Sequence, residues 1–239
     1  PGLIRLEALQ GLVELRGDGA LGALLQALTE GDRELAARAV TLLRGDRVSA
    51  GALAAALPEV GARLSPPRRA RLLLALGDRG EKAFLPFART ALAQGEDPVM
   101  VAACTALGRL GGAAELSLLL PCLQGEERLA RAATAALEEL ADPGVDRGIL
   151  AALDHRHDLA SRLALARVIR HRRTPGAFPR LLALAADDAP ELRKEAFAAL
   201  GELAGPDQLS LFISFVGRVR EKDRDRAGRA LAQVIRRTG

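Results

Sequence analysis

Leu192-Arg193-Lys194-Glu195-Ala196-Phe197-Ala198-Ala199-Leu200-Gly201, preceded by Asp188-Ala189-Pro190, is the stretch that decides the fold. Within it and just beyond, Leu192, Ala196, Ala199, Leu200 and Leu203 fall at i, i+4, i+7, i+8 and i+11, which is one face of an α-helix. The leucine before the glycine has counterparts at Leu12, Leu43, Leu76, Leu107, Leu137, Val168 and Leu231, spaced 30 to 33 residues apart. A fixed period of this size marks a stacked array, in which each unit touches only its neighbours.

Each unit reads as two helical segments joined by a turn rich in Gly, Asp or Pro, such as Gly205-Pro206-Asp207. Gly ends the first helix, and Pro opens the next where its missing N–H costs little. Asp32, Ser65, Asp97, Asp158 and Asp188 stand where a side-chain oxygen can cap free backbone N–H groups. Strand signals are absent. A hairpin of about 31 residues leaves one apolar side bare, and only the next hairpin can cover it. Ala8, Ala39, Ala103, Ala133, Ala164 and Ala196 recur four residues before the anchor, where a small side chain lets helix axes approach. The pattern predicts an all-α chain of fifteen helices: a right-handed α-solenoid of about seven to eight hairpins, forming a single repeat domain over 1–239. The first helix, apolar on most sides at Leu3, Ile4, Leu6, Leu9 and Leu12, leads us to expect native sequence before residue 1. The chain is then a piece of a longer solenoid or protein, otherwise a monomer.

Composition excludes several classes. The 239 residues are 49% hydrophobic, enough for a sizeable core, and no apolar run nears the ~18 residues that a membrane span needs. The net charge of +4 is small beside 34 basic and 30 acidic residues. The high isoelectric point comes from 31 arginines that never titrate, so it is weak support for nucleic-acid binding without clustering on one face. Cys104 and Cys122 form no disulfide framework, and Cys104 sits in an apolar slot of the repeat. No basic-then-apolar leader is visible, so a cytoplasmic location is expected.

Asp-Pro, a branched residue with Arg, then Ala and Ala-Leu-Gly is the pattern of HEAT repeats, and the chain resembles the short bacterial, phycobilin-lyase-type form of that family. Asp97-Pro98-Val99 with Ala103 and Ala106-Leu107-Gly108 carries the resemblance, as does Leu192-Arg193 with Ala196 and Ala199-Leu200-Gly201. Pro66-Pro67-Arg68-Arg69 and Val168-Ile169 depart from it. The resemblance implies a protein-binding scaffold whose pattern helices line a concave groove. It also brings three other possibilities. Deoxyhypusine hydroxylase, a similar architecture, holds iron on His-Glu dipeptides, and this chain has none. DNA glycosylases of similar build stack bases on aromatic faces, but Trp and Tyr are absent and the six Phe fall at core spacing. Phycobilin lyases imply an accessory chain that binds a tetrapyrrole in the groove.

Asp154-His155-Arg156-His157-Asp158 could offer metal ligands, but it reads as a solvated turn with an arginine in its middle. No nucleophile–base pair stands out, so no catalytic residue, metal or cofactor is assigned and the chain is read as a non-enzyme. Two or three positions past each branched residue, the groove-facing slots hold Arg38, Arg71, Arg131, Arg162, Lys194 and Arg226. The fourth unit has Met100 and Val101 there. A ladder of guanidinium groups around an apolar patch suits an acidic or phosphorylated protein segment. Against that, Glu34–Arg38, Glu127–Arg131 and Asp158–Arg162 are favourable i, i+4 pairs, and exposed pairs leave little free field. Arg71 has no such acid. Arg170, Arg172 and Arg173 form a second basic cluster, beyond what a helix C-terminus needs to offset its dipole. The expected function is a non-enzymatic scaffold for an acidic protein or peptide. The alternatives are the lyase-type accessory subunit and, less favoured, a phosphate- or nucleic-acid-binding solenoid.

Overall fold

The computed structural model describes residues 2–156 and 158–238. It is helical throughout, with fifteen α-helices and no strand among the described residues. They are α1 (Gly2–Arg16), α2 (Leu21–Glu30), α3 (Arg33–Arg44), α4 (Ala50–Arg63), α5 (Pro66–Arg79), α6 (Leu85–Gln94), α7 (Asp97–Leu110), α8 (Leu116–Cys122), α9 (Glu127–Glu139), α10 (Pro143–His155), α11 (Leu159–Arg172), α12 (Phe178–Ala185), α13 (Pro190–Leu203), α14 (Leu209–Val216) and α15 (Arg224–Thr238). Short 3-10 turns lead into α2, α6, α8, α14 and α15. The chain is an all-α helical repeat of the solenoid class, as the period requires.

The chain divides into two compact units, Pro1–Asp142 and Pro143–Gly239. In the first, α1, α3, α5, α7 and α9 stack in sequence as one layer, and α2, α4 and α6 lie along it as a second. In the second, α11, α13 and α15 stack, with α10, α12 and α14 packed on them. The odd helices are those that carry the repeated leucine. Leu43, Leu76, Leu107, Leu137, Val168 and Leu200 are buried, while Leu12 and Leu231 are half-buried. Of the recurring alanines, Ala39, Ala103, Ala133 and Ala196 are buried, Ala164 is half-buried and Ala8 is exposed.

The glycine after the leucine has a packing role. A Cβ on Gly108 would stand 2.6 Å from Ala136 Cα, one on Gly77 3.1 Å from Ala106 Cα, and one on Gly201 3.3 Å from Ala230 Cα. In all three joints the glycine of one odd helix meets the alanine just before the anchor leucine of the next. Backbones touch there because neither residue carries bulk. Such contact between helix axes is open only to the smallest side chains.

Helix starts follow the expected chemistry in part. Asp32 accepts from Leu35 N–H at 2.8 Å and Asp158 from Ser161 N–H at 2.7 Å. Ser65 holds the cap position without a side-chain bond, Asp97 is the first residue inside α7, and Ala189 caps α13. There Asp187, not Asp188, accepts from the Ala189 N–H at 2.9 Å.

Candidate functional site

On the odd-helix face of the first unit, a cleft of about 210 Å³ lies between α3 and α5. Arg33 and Arg71 stand at it, with Arg68, Ser65, Ala37 and Val40 around them. Arg68 is fixed: its guanidinium donates to Leu28 O at 2.9 Å, Thr29 O at 2.6 Å and Gly31 O at 2.6 Å, capping the last turn of α2. That engages three of its five N–H donors, but no acid among the described residues neutralises its charge. Arg33 and Arg71 are exposed and have no hydrogen-bond or ion-pair partner among the described residues. No carboxylate lines the cleft. Three guanidinium groups with no compensating anion make a positive concavity, the geometry that attracts and orients an anion.

The other sequence-predicted residues are placed as follows. Arg38 is half-buried and turns to Gln10 on α1, not to Glu34, and its Nε is buried without a partner. Met100 and Val101 are half-buried on α7. Arg131 pairs with Glu127 as the i, i+4 rule predicts, and both side chains are exposed. In the second unit, Arg162 reaches across to Asp187 at 2.6 Å, and Lys194 is exposed and free of any partner among the described residues. Arg226 pairs with Asp223 at 2.8 Å.

The Arg170–Arg173 turn is largely neutralised within its own unit. Arg170 lies 3.0 Å from Glu195 Oε1, an ion-pair distance without hydrogen-bond alignment, and 3.3 Å from Glu202. Arg172 donates to Asp146 at 2.9 Å. Arg173 takes the left-handed conformation that ends α11, φ 55°, and donates to the Glu202 carbonyl at 3.3 Å. The carboxylates that hold this unit together are tuned accordingly. Arg180 grips Asp154 through two nitrogens and holds its pKa below the ordinary range. Burial pushes Asp187 up, but the Ala189 N–H and Arg162 outweigh it and the pKa falls.

Two buried thiols come together between α7 and α8. Their interaction pushes Cys104 up and draws Cys122 down to about 7, and the Cys122 thiol donates to the Leu118 carbonyl at 3.4 Å. The burial of Cys104 is as its slot predicts; the partner eighteen residues on was invisible, because spacing does not say which face of the second helix meets the first. No group of three His, Cys, Asp or Glu gathers in a metal-holding arrangement among the described residues. His157, part of the candidate metal turn, lies outside them. No described helix is long and apolar enough to cross a membrane.

Sequence reasoning missed Arg33 and Arg68. Both lie outside the groove-facing slots of the repeat. The double proline at Pro66-Pro67 was the available signal, because it fixes the start of α5 and so sets Arg68 against the end of α2. Compared with known families, residues 147–232 match the model of HEAT repeats. No curated protein matches the chain. Repeats of this family generally mediate protein–protein interaction.

Proposed function

We propose, for a chain that belongs to the HEAT-repeat family, that it is a non-enzymatic scaffold holding an acidic segment of a partner protein. The α3–α5 cleft is the anchor. The observation that carries this is the trio Arg33, Arg68 and Arg71 around a cleft without a carboxylate. Arg68 is already held by three carbonyls, so no ordering cost attaches to it on binding. Arg33 and Arg71 are free to close on a carboxylate or phosphate as planar, two-pronged donors. Val40 and Ala37 give the same cleft an apolar wall, and Met100 and Val101 extend the apolar surface on α7. Lys194 offers a lesser contact in the second unit. The paired arginines, Arg131, Arg162, Arg170, Arg172 and Arg173, contribute less because each is already engaged within the chain.

A labelled peptide of alternating Asp and Glu, read by fluorescence anisotropy at low salt, tests this. Reversing Arg33 and Arg71 to Glu is expected to weaken binding about tenfold or more, the scale of lost charge-assisted hydrogen bonds. Arg131→Glu is expected to change it less than about twofold, as for any exposed paired charge. Equal loss from Arg131→Glu would mean that only net charge matters. Tighter binding of duplex DNA than of the peptide, falling steeply with salt, would replace the partner class.

A further inference from the structure

The even-helix layer of the first unit contains a second concavity unrelated to the basic cleft. Between α4 and α6 a cavity of about 430 Å³ opens, within the roughly 300–1,000 Å³ of ordinary ligand pockets. Its walls are apolar: Leu57, Pro58 and Ala62 from α4, and Pro86, Phe87 and Ala91 from α6. Gly61 makes the cavity possible in this shape. A Cβ there would fall 2.4 Å from Phe87 Cε2, so the ring rests against bare helix backbone and the groove beside it stays open.

A single charge points into this apolar space. Arg69 of α5 lines the cavity and is half-buried. Its only hydrogen bond among the described residues runs from Nη2 to the Leu64 carbonyl at 3.4 Å, the far limit of such a contact. Its Nε is buried with no partner among the described residues. No Asp or Glu lines the cavity. The polar neighbours add little: Thr90 spends its hydroxyl on the Pro86 carbonyl at 3.0 Å, and Gln94 stands exposed on the last turn of α6. A buried guanidinium donor without an acceptor is costly; Arg38 Nε is in the same state, whereas other deeply buried guanidinium groups are satisfied. Arg79, for instance, donates to two carbonyls and pairs with Glu81.

We propose that this cavity binds a small amphipathic monocarboxylate, a medium-chain fatty acid in kind, with its carboxylate on Arg69 and its chain between Leu57 and Phe87. One cation, with only the exposed Gln94 amide to assist it, suits a single carboxylate head better than a phosphate, which draws several donors. The apolar walls reject a short, fully polar anion. Arg69 follows Arg68 by 100° and precedes Arg71 by 200° around α5, so it serves a different side of the helix from the basic cleft. The two sites are therefore separable by mutation.

The test is calorimetric titration of the full chain, which has no Trp or Tyr to report binding by fluorescence. Decanoate, kept below its micelle concentration, is compared with decanol and acetate. Decanoate is expected to bind about ten- to a hundredfold tighter than decanol, the scale of one charge-assisted hydrogen-bonded pair, and acetate not measurably. Arg69→Gln should lower decanoate affinity by that factor and leave decanol unchanged, and Arg69→Lys should restore part of it. Ala54→Phe, which fills the cavity from α4 and keeps Arg69 in place, should abolish both, and it keeps the test decisive if Arg69→Gln fails to fold. No decanoate binding, equal affinity for decanoate and decanol, or full binding by Ala54→Phe would overturn the proposal.

Discussion

Replacing Gly108 with alanine is expected to destabilise the chain, although alanine is the better helix former. In an ordinary helix interior the change gains about 1 kcal/mol. Here the new Cβ would stand 2.6 Å from Ala136 Cα and 3.0 Å from both the Cβ and the carbonyl oxygen of Ala136. Ordinary contact begins at 3.4 Å, so α7 and α9 must part by about 0.8 Å at that point. Backbone cannot swing aside as a flexible side chain can. A gap of about 0.5–1 Å forfeits a quarter to a half of each dispersion contact it opens. Leu107 and Leu137 sit beside the joint and lose contacts with it. Overpacking of this kind costs about 1–3 kcal/mol, so the net is about 0–2 kcal/mol against the variant. Gly11→Ala is the control in the same unit. It lies within α1, its new Cβ meets nothing within 4 Å, and it should stabilise by about 0.5–1 kcal/mol. Urea unfolding followed by circular dichroism reads both. If Gly108→Ala is more stable than the parent, the backbone contact is not what sets the joint.

Two other outcomes are expected. Arg193 is 2% exposed and donates to Asp223 at 2.7 Å and to the Asp187 and Asp188 carbonyls. Arg193→Met therefore leaves a buried carboxylate held only by Arg226, at about 3 kcal/mol, while the double change with Asp223→Leu recovers most of the loss on urea unfolding. Burial raises the pKa of Glu115, but the Gly112 N–H and Arg89 outweigh it and leave it below 4.5. Its contribution is present in full above the unfolded value and is lost as pH falls through the folded one, so the parent should weaken below pH 4.5 and Glu115→Gln should weaken less steeply there when urea midpoints are compared across pH.

The stack was legible because its cause is local and repeated. Leu107, Ala103 and their counterparts share one helix face, and most of them are buried. The glycine after the leucine was legible as a recurrent residue, but not as a contact, since its partner Ala136 lies on another helix. Cap positions were legible to within a residue. Asp97 and Asp188 miss the role by one position because the cap is set by one residue's backbone angles, which a period of 3.6 does not resolve. The Arg69 cavity was illegible. It depends on how far α4 and α6 stand apart, and the sequence shows only the run Ala54-Ala55-Ala56 ahead of Pro58.

The arginines show why one ruler was wrong for them. The spacing of one helical turn predicts Glu34–Arg38, Glu127–Arg131 and Asp158–Arg162, and the most exposed of the three is the one that forms as written. Such a pair is worth about 0.3–0.5 kcal/mol, little enough for any better partner to displace it. In a stacked array the better partner stands on the next unit, where both groups lose part of their water and the contact is shielded. Arg193 finds Asp223 thirty residues on, Arg109 finds Asp78 thirty-one residues back, and Arg89, Arg162 and Arg172 find acids 25 or 26 residues away. The informative distance is about one repeat, not one turn. By that measure Arg71 stands out in the bare sequence: one period before it lies Val40 and one period after it Ala102. Arg33 has Leu64 in the corresponding place. A basic side chain on the stacking layer whose neighbours one period away are apolar lacks the cross-unit acid that engages Arg193 and Arg109, which leaves Arg33 and Arg71 free for the acidic segment proposed above.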